Sequence, residues 1–288
     1  MNDPGIHIKE LPQLEKPLLI AGFDGWGNAL NISNGMVSYL IRHFKAQAFA
    51  YLNSDIFYRY DEQRPQVTIE NGLLKTITSP EGSFYAAVTD KNQSDIVILS
   101  AAEPNLRWSH FVDLLFSLCR KLDVGTVVTL GSMYDNVLHT DRTISGVAST
   151  RDMLLKLQKH NVNPISYQGH SAIHSIIQSE VNKRGFKCLS LWSHCPYYLQ
   201  GTTHFGILSH LGGLIAKLGN FHLDTDHLDK NWELLKEQIN SLIEGNSELQ
   251  TLIANLRKEK AMGSTARLNG KAAGNEKIID LRDFFDPK

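Results

Sequence analysis

The sequence is poor in the features that would place it outside a reducing compartment. Three cysteines, Cys119, Cys188 and Cys195, are spread over 288 residues, and an odd count at irregular spacing is no disulfide framework. An excess of one charge is missing too: 29 Lys and Arg stand against 30 Asp and Glu, a formal net charge of −1. A chain so balanced sets up no field that gathers phosphates or anionic lipid, so neither nucleic acid nor a membrane is expected as partner. No uncharged apolar run reaches the ~18 residues of a membrane span. The opening residues 1–16 carry Asp3, Glu10 and Glu15 and lack the apolar stretch of a leader. Repeats of solenoid period are absent as well. These absences predict a cytoplasmic protein, and the length suits one large domain or a domain with a smaller appendage.

What is present reads as alternating strands and helices. After the polar lead-in, Pro17-Leu-Leu-Ile-Ala-Gly22 is an apolar run, Phe23-Asp-Gly-Trp-Gly-Asn28 a loop, and residues 33–44 a helical pattern. Residues 46–51 form a second run, 67–77 combine β-branched residues with turn signals, and 84–88 are another short strand. Residues 95–100, a helix over 108–122 and residues 125–130 predict a βαβ unit. Helices over 149–160 and 172–184, a short extended piece at 165–167 and the strand 188–192 continue the pattern. Strands apolar on both faces between such helices imply a sheet enclosed by two helix layers, a three-layer α/β/α sandwich over residues 17–223.

From Asp224 the character changes. Leu228, Trp232, Leu235, Ile239 and Leu242 recur at four and three, one face of a helix. Gly245-Asn246 breaks it, and Ser247 is the expected N-cap of a second helix, giving a helical hairpin over 224–260. This stripe either covers the main domain or forms a seam between copies of the chain. Residues 261–275 are small and polar and read as a flexible linker. The tail regains apolar character with Phe284 and Phe285, which either dock on a partner or fold back.

Gly25, Trp26, Gly27 and Asn28 lie between strand and helix, where backbone N–H groups can cradle an anion. The glycine spacing is neither a Walker loop nor a dinucleotide fingerprint. Glu103 and Arg107 follow a later strand and complete this candidate ligand loop. His170 and His174, four apart on an expected helix, are a possible metal pair, with surface or half-buried histidines as the simpler account. His194 and Cys195 point to opposite sides of an extended segment and form no dyad. Glu103 and Asp135 at successive strand ends suit a carboxylate pair or helix caps. No catalytic set, cofactor or metal site is assigned.

Several blocks, taken in order, resemble the proteasome assembly chaperone family. They are Gly22-Phe-Asp-Gly-Trp-Gly-Asn28; the aromatic segment Asp55-Ile-Phe-Tyr-Arg-Tyr-Asp-Glu-Gln-Arg-Pro65; Ala102-Glu-Pro-Asn-Leu-Arg-Trp108; Gly131-Ser-Met with Gly146-Val-Ala-Ser; Tyr167-Gln-Gly169; Lys183-Arg-Gly185; and Leu191-Trp-Ser-His-Cys-Pro-Tyr-Tyr198. The resemblance spans residues 18–260. It implies a phosphorylase/hydrolase-like fold with a C-terminal helical hairpin, self-association with a trimer among the stoichiometries, and proteasome subunits or another protein as client. It carries no catalytic residues. Two departures stand out: the C-terminus has no penultimate tyrosine of the kind archaeal relatives use for docking, and Pro196-Tyr-Tyr198 replaces the family's Pro-His-Tyr block.

Two functions follow as expectations. The first is a homo-oligomeric scaffold or chaperone that works by protein contact. The alternative is an enzyme of hydrolase, phosphorylase or ATP-dependent carboxylate-amine ligase type, acting on a small anionic substrate at the Gly25 loop.

Overall fold

A computed structural model describes residues 3–261. In chain order the elements are β1 (Ile6–Ile8), β2 (Leu18–Asp24), α1 (Ile32–His43), β3 (Gln47–Leu52), the single turn α2 (Ser54–Phe57), β4 (Gln66–Glu70), β5 (Leu73–Thr78), β6 (Gly82–Ala87), β7 (Ile96–Ala102), α3 (Trp108–Lys121), β8 (Thr126–Asp135), β9 (Ile144–Ala148), α4 (Arg151–Lys159), β10 (Asn163–Pro164), α5 (Ile173–Val181), β11 (Lys187–Pro196), α6 (Phe205–Gly219), α7 (Asp226–Glu244) and α8 (Ser247–Ala261). Nine strands join in the order β1-β3-β6-β7-β2-β8-β11-β9-β10, while β4 and β5 pair only with each other. The central strands β7, β2, β8 and β11 are parallel, and β1, β3, β6 and β9 continue the sheet antiparallel. The expected βαβ unit from β7 to β8 keeps its parallel sense, but β2 lies between the two strands.

Strand β2 shows why the sheet is enclosed. Its first six residues are all buried, and alternation sends Leu18 and Ile20 to one layer and Leu19, Ala21 and Phe23 to the other. Helices α1, α4 and α6 fill the first layer and α3 and α5 the second. This is the expected three-layer sandwich. Helix α6 was not anticipated, because it is buried on nearly every side and so shows no amphipathic stripe.

Several boundaries differ from expectation for local reasons. Ile6–Ile8 in the lead-in pairs with β3 as an edge strand. The extended piece expected at 165–167 is loop, and the short strand sits at Asn163–Pro164. Asn246, not Ser247, caps α8, its Oδ1 accepting from the N–H groups of Glu248 and Leu249 at 3.0 and 3.1 Å. The residues expected as linker beyond Ala261, and Phe284 and Phe285 with them, lie outside the described residues.

The α7 stripe covers the main domain. Leu228, Trp232, Leu235 and Ile239 are buried in the core shared with α1 and α6, and Leu242 packs against it. Trp232 is held between the His204 ring, stacked nearly parallel at 4.5 Å, and the Arg142 guanidinium at 4.3 Å. The hairpin β4–β5 behaves oppositely, since every one of its strand residues is exposed. Asn71 and Gly72 take positive φ at both turn positions, the geometry that matches hairpin twist. No described helix is long and apolar enough to cross a membrane.

Candidate functional site

The carboxyl ends of the parallel strands meet at one edge of the sheet, where open α/β folds hold ligands. The loop after β2 is shaped by two residues. Gly25 has a φ of +129°, and a Cβ there would lie 3.2 Å from the Glu103 side chain, so only glycine sits without strain. Asn28 ties the loop to the first turn of α1: its Oδ1 accepts from Ser33 N–H at 2.9 Å, and its Nδ2 donates to Asp24 Oδ1 at 3.0 Å.

Glu103 folds beneath this loop. Its carboxylate accepts from Ile173 N–H at 2.7 Å and from Trp26 N–H. Burial raises its pKa, and the two bonds oppose the rise. Gly25 N–H donates to Asp24 Oδ1 at 2.9 Å. The N–H groups of Gly25 and Trp26 are therefore already engaged by the protein's own carboxylates. Arg107 stands apart as the left-handed residue that opens α3.

Gly25, Trp26 and Asn28 form one side of a cavity of about 560 Å³, completed by Tyr134, Tyr167 and Trp192 among others. Its size suits a small molecule. Glycines make room for the Trp192 indole: a Cβ on Gly131 or Gly27 would approach it to 2.7 or 3.1 Å. The indole N–H donates to Ser190 Oγ at 3.0 Å. Behind it, at 4.9 Å, lies the His174 ring. His174 is fully buried, its Nε2 donating to Leu130 O at 2.8 Å, and burial lowers its pKa to about 4, so it is neutral. Helix α5 begins only at Ile173, so His170 lies in the preceding loop at the cavity wall. The two histidines share no helix face. Among the described residues no three His, Cys, Asp or Glu side chains gather as metal ligands.

A second cluster adjoins the cavity. His194 Nδ1 lies 2.7 Å from Asp135 Oδ2, and His194 Nε2 lies 2.6 Å from Ser145 Oγ. The other Asp135 oxygen accepts from Asn136 N–H at 2.7 Å. Burial pushes the Asp135 carboxyl up, but these bonds and the nearby imidazole outweigh it and hold the pKa below its usual value. A carboxylate only accepts, so Nδ1 carries the proton, and in the neutral ring Nε2 is the nitrogen left to accept from the serine hydroxyl. Cys195 points into the opposite core, its thiol pKa raised by burial. Glu103 and Asp135 serve different partners and form no carboxylate pair. Ser145 was not singled out from sequence; its only signal is a polar residue in a short strand where its neighbour Ile144 is core.

The sequence profile described as the PAC2 family matches residues 19–243. Among curated proteins nothing matches. A PAC2 family protein of Streptomyces avermitilis is 25% identical at a TM-score of 0.73, over 82% of this chain and 99% of that one. A proteasome-assembly chaperone homologue of Mycobacterium tuberculosis is 22% identical at 0.74, over the same shares. A protein of unknown function from M. tuberculosis is 21% identical at 0.82, over 92% and 94%. Matched by that profile over most of its length, the chain belongs to the PAC2 family.

Proposed function

We propose that this chain is a cytoplasmic, chaperone-like scaffold that assembles with copies of itself and binds proteasome subunits or another protein client. The observation that carries this reading is the β4–β5 hairpin. Val67, Ile69, Leu73, Leu74 and Ile77 are each 56–65% exposed on a ribbon whose two outer edges are unpaired among the described residues. A lone two-stranded hairpin is marginal in water, and a cluster of exposed apolar side chains marks an interaction surface. An unpaired edge also offers main-chain groups for strand addition. The PAC2 family membership supports the chaperone role, and three free, buried cysteines support a reducing compartment.

Sedimentation velocity tests the reading. The full chain is expected to sediment as an oligomer, and a variant with Ile69→Ser and Ile77→Ser as a monomer with an unchanged far-UV circular dichroism spectrum. A wild-type monomer that also captures no α-type proteasome subunit in a native pull-down contradicts the proposal.

A further inference from the structure

Ser145, His194 and Asp135 are brought together by register, not by a shared motif. Residues two apart on a strand share a face. On β8 that pair is Met133 and Asp135, on β9 Ser145 and Val147, and on β11 Trp192 and His194. In each pair one member, Met133, Val147 or Trp192, lines the 560 Å³ cavity, and the other belongs to the hydrogen-bonded chain. Ser145 is the direct cross-strand partner of Trp192. The indole leans over Gly131 on β8, away from Ser145's strand. Ser145 thus lies directly behind the cavity wall, beside its lining residues Val147 and Trp192, and is 6% exposed.

Other buried serines here show what a purely structural hydroxyl does. Ser33 and Ser132 donate to the carbonyls of Leu130 and Ala29 at 2.7 and 2.8 Å and need no ionisable partner. Ser145 instead donates to an imidazole that is itself held by a carboxylate. Burying such groups costs more than a neutral bond, and the resulting hydrogen-bond chain runs from the serine hydroxyl to the imidazole base to the carboxylate that orients it.

We propose that Ser145 is a nucleophile, His194 its general base and Asp135 the positioning residue, acting on a small, uncharged carboxylic ester or amide whose apolar part occupies the aromatic cavity. Ser145 Oγ bonds to the carbonyl carbon while its proton passes to His194 Nε2. The bond to the leaving alcohol or amine then breaks, and that group departs with the Nε2 proton. Water attacks the acyl-serine, gives a proton to Nε2, and releases the carboxylic acid as Oγ recovers its proton. Balance needs only the substrate and water.

The test is covalent labelling of the full chain with an alkyl fluorophosphonate, in which the Oγ–P bond forms and fluoride leaves. Intact mass is expected to rise by one adduct, mapped by peptide sequencing to Ser145. The adduct is absent in Ser145→Ala. His194→Gln keeps hydrogen-bonding capacity but is no base, and should slow labelling at least about 100-fold with the melting temperature retained. Asp135→Asn should slow it at least about ten-fold. A purely structural hydrogen-bond chain would show none of these rate effects. A folded wild type that stays unlabelled under a large excess of probe, or a label that survives Ser145→Ala, overturns the proposal.

Discussion

Two hairpins carry similar apolar content and meet opposite fates. In α7 and α8, Leu228, Trp232, Leu235, Ile239, Ile253 and Leu256 are buried in the core around α1 and α6. In β4 and β5, Val67, Ile69, Leu73, Leu74 and Ile77 face solvent. Burial of such side chains is worth roughly 1.5–3 kcal/mol each, so the helical hairpin is part of what keeps this chain folded. The β-hairpin contributes little to the isolated fold, which leaves it free to bind. Apolar residues on an appendage are therefore no guide to an interface by themselves; what matters is whether the main domain has a face left to cover them.

The contrast can be broken most sharply at Trp232. Trp232→Ala empties the slot between His204 and Arg142 and should cost about 3–5 kcal/mol, read from urea unfolding. Acid sharpens the same region. His204 is buried, and burial is the main reason its pKa is lowered from 6.5 to about 3. A depressed histidine pKa means the unfolded chain takes up the proton first, so stability is fully present above pH 6.5 and declines toward pH 4. The decline due to this group should reach roughly 3 kcal/mol at pH 4, and His204→Gln should remove that share. At the cavity, Gly25→Ala forces a side chain into the positive-φ region against Glu103 and should cost about 1–3 kcal/mol by the same assay. Smallest of all, Ile69→Ser with Ile77→Ser should shift the stability of the monomeric unit by no more than about 0.5 kcal/mol. A larger shift would mean the β-hairpin is structural after all.

Much of the fold was legible because its cause is local. The apolar run at Leu18–Phe23, the α3 and α7 stripes and the family blocks all speak within a few residues of themselves. Helix α6 is silent because burial on nearly every side erases periodicity. The β4–β5 ribbon was half legible: Asn71-Gly72 is a hairpin signal, but nothing in 67–77 says that no helix layer covers it. The same divide runs through the site. Gly25, Trp26 and Asn28 could be picked out from their place after the first strand, and they do line the cavity. Asp135 and His194 could be noticed singly, yet their meeting with Ser145 depends on β9 returning antiparallel beside β11, a pairing 49 residues apart for Ser145 and His194. Arg107, exposed in a left-handed turn at the start of α3, is not among the cavity-lining residues.

The central claim is that the β-hairpin, and not the helical one, is where this chain meets another. Placing a photo-activatable cross-linker at Ile69 and, in a separate variant, at Leu234, an exposed position of α7, tests this most directly. Irradiation at micromolar concentration should give chain-to-chain cross-links from position 69 and none from position 234. Cross-links from position 234 alone, or none from either, would contradict the claim.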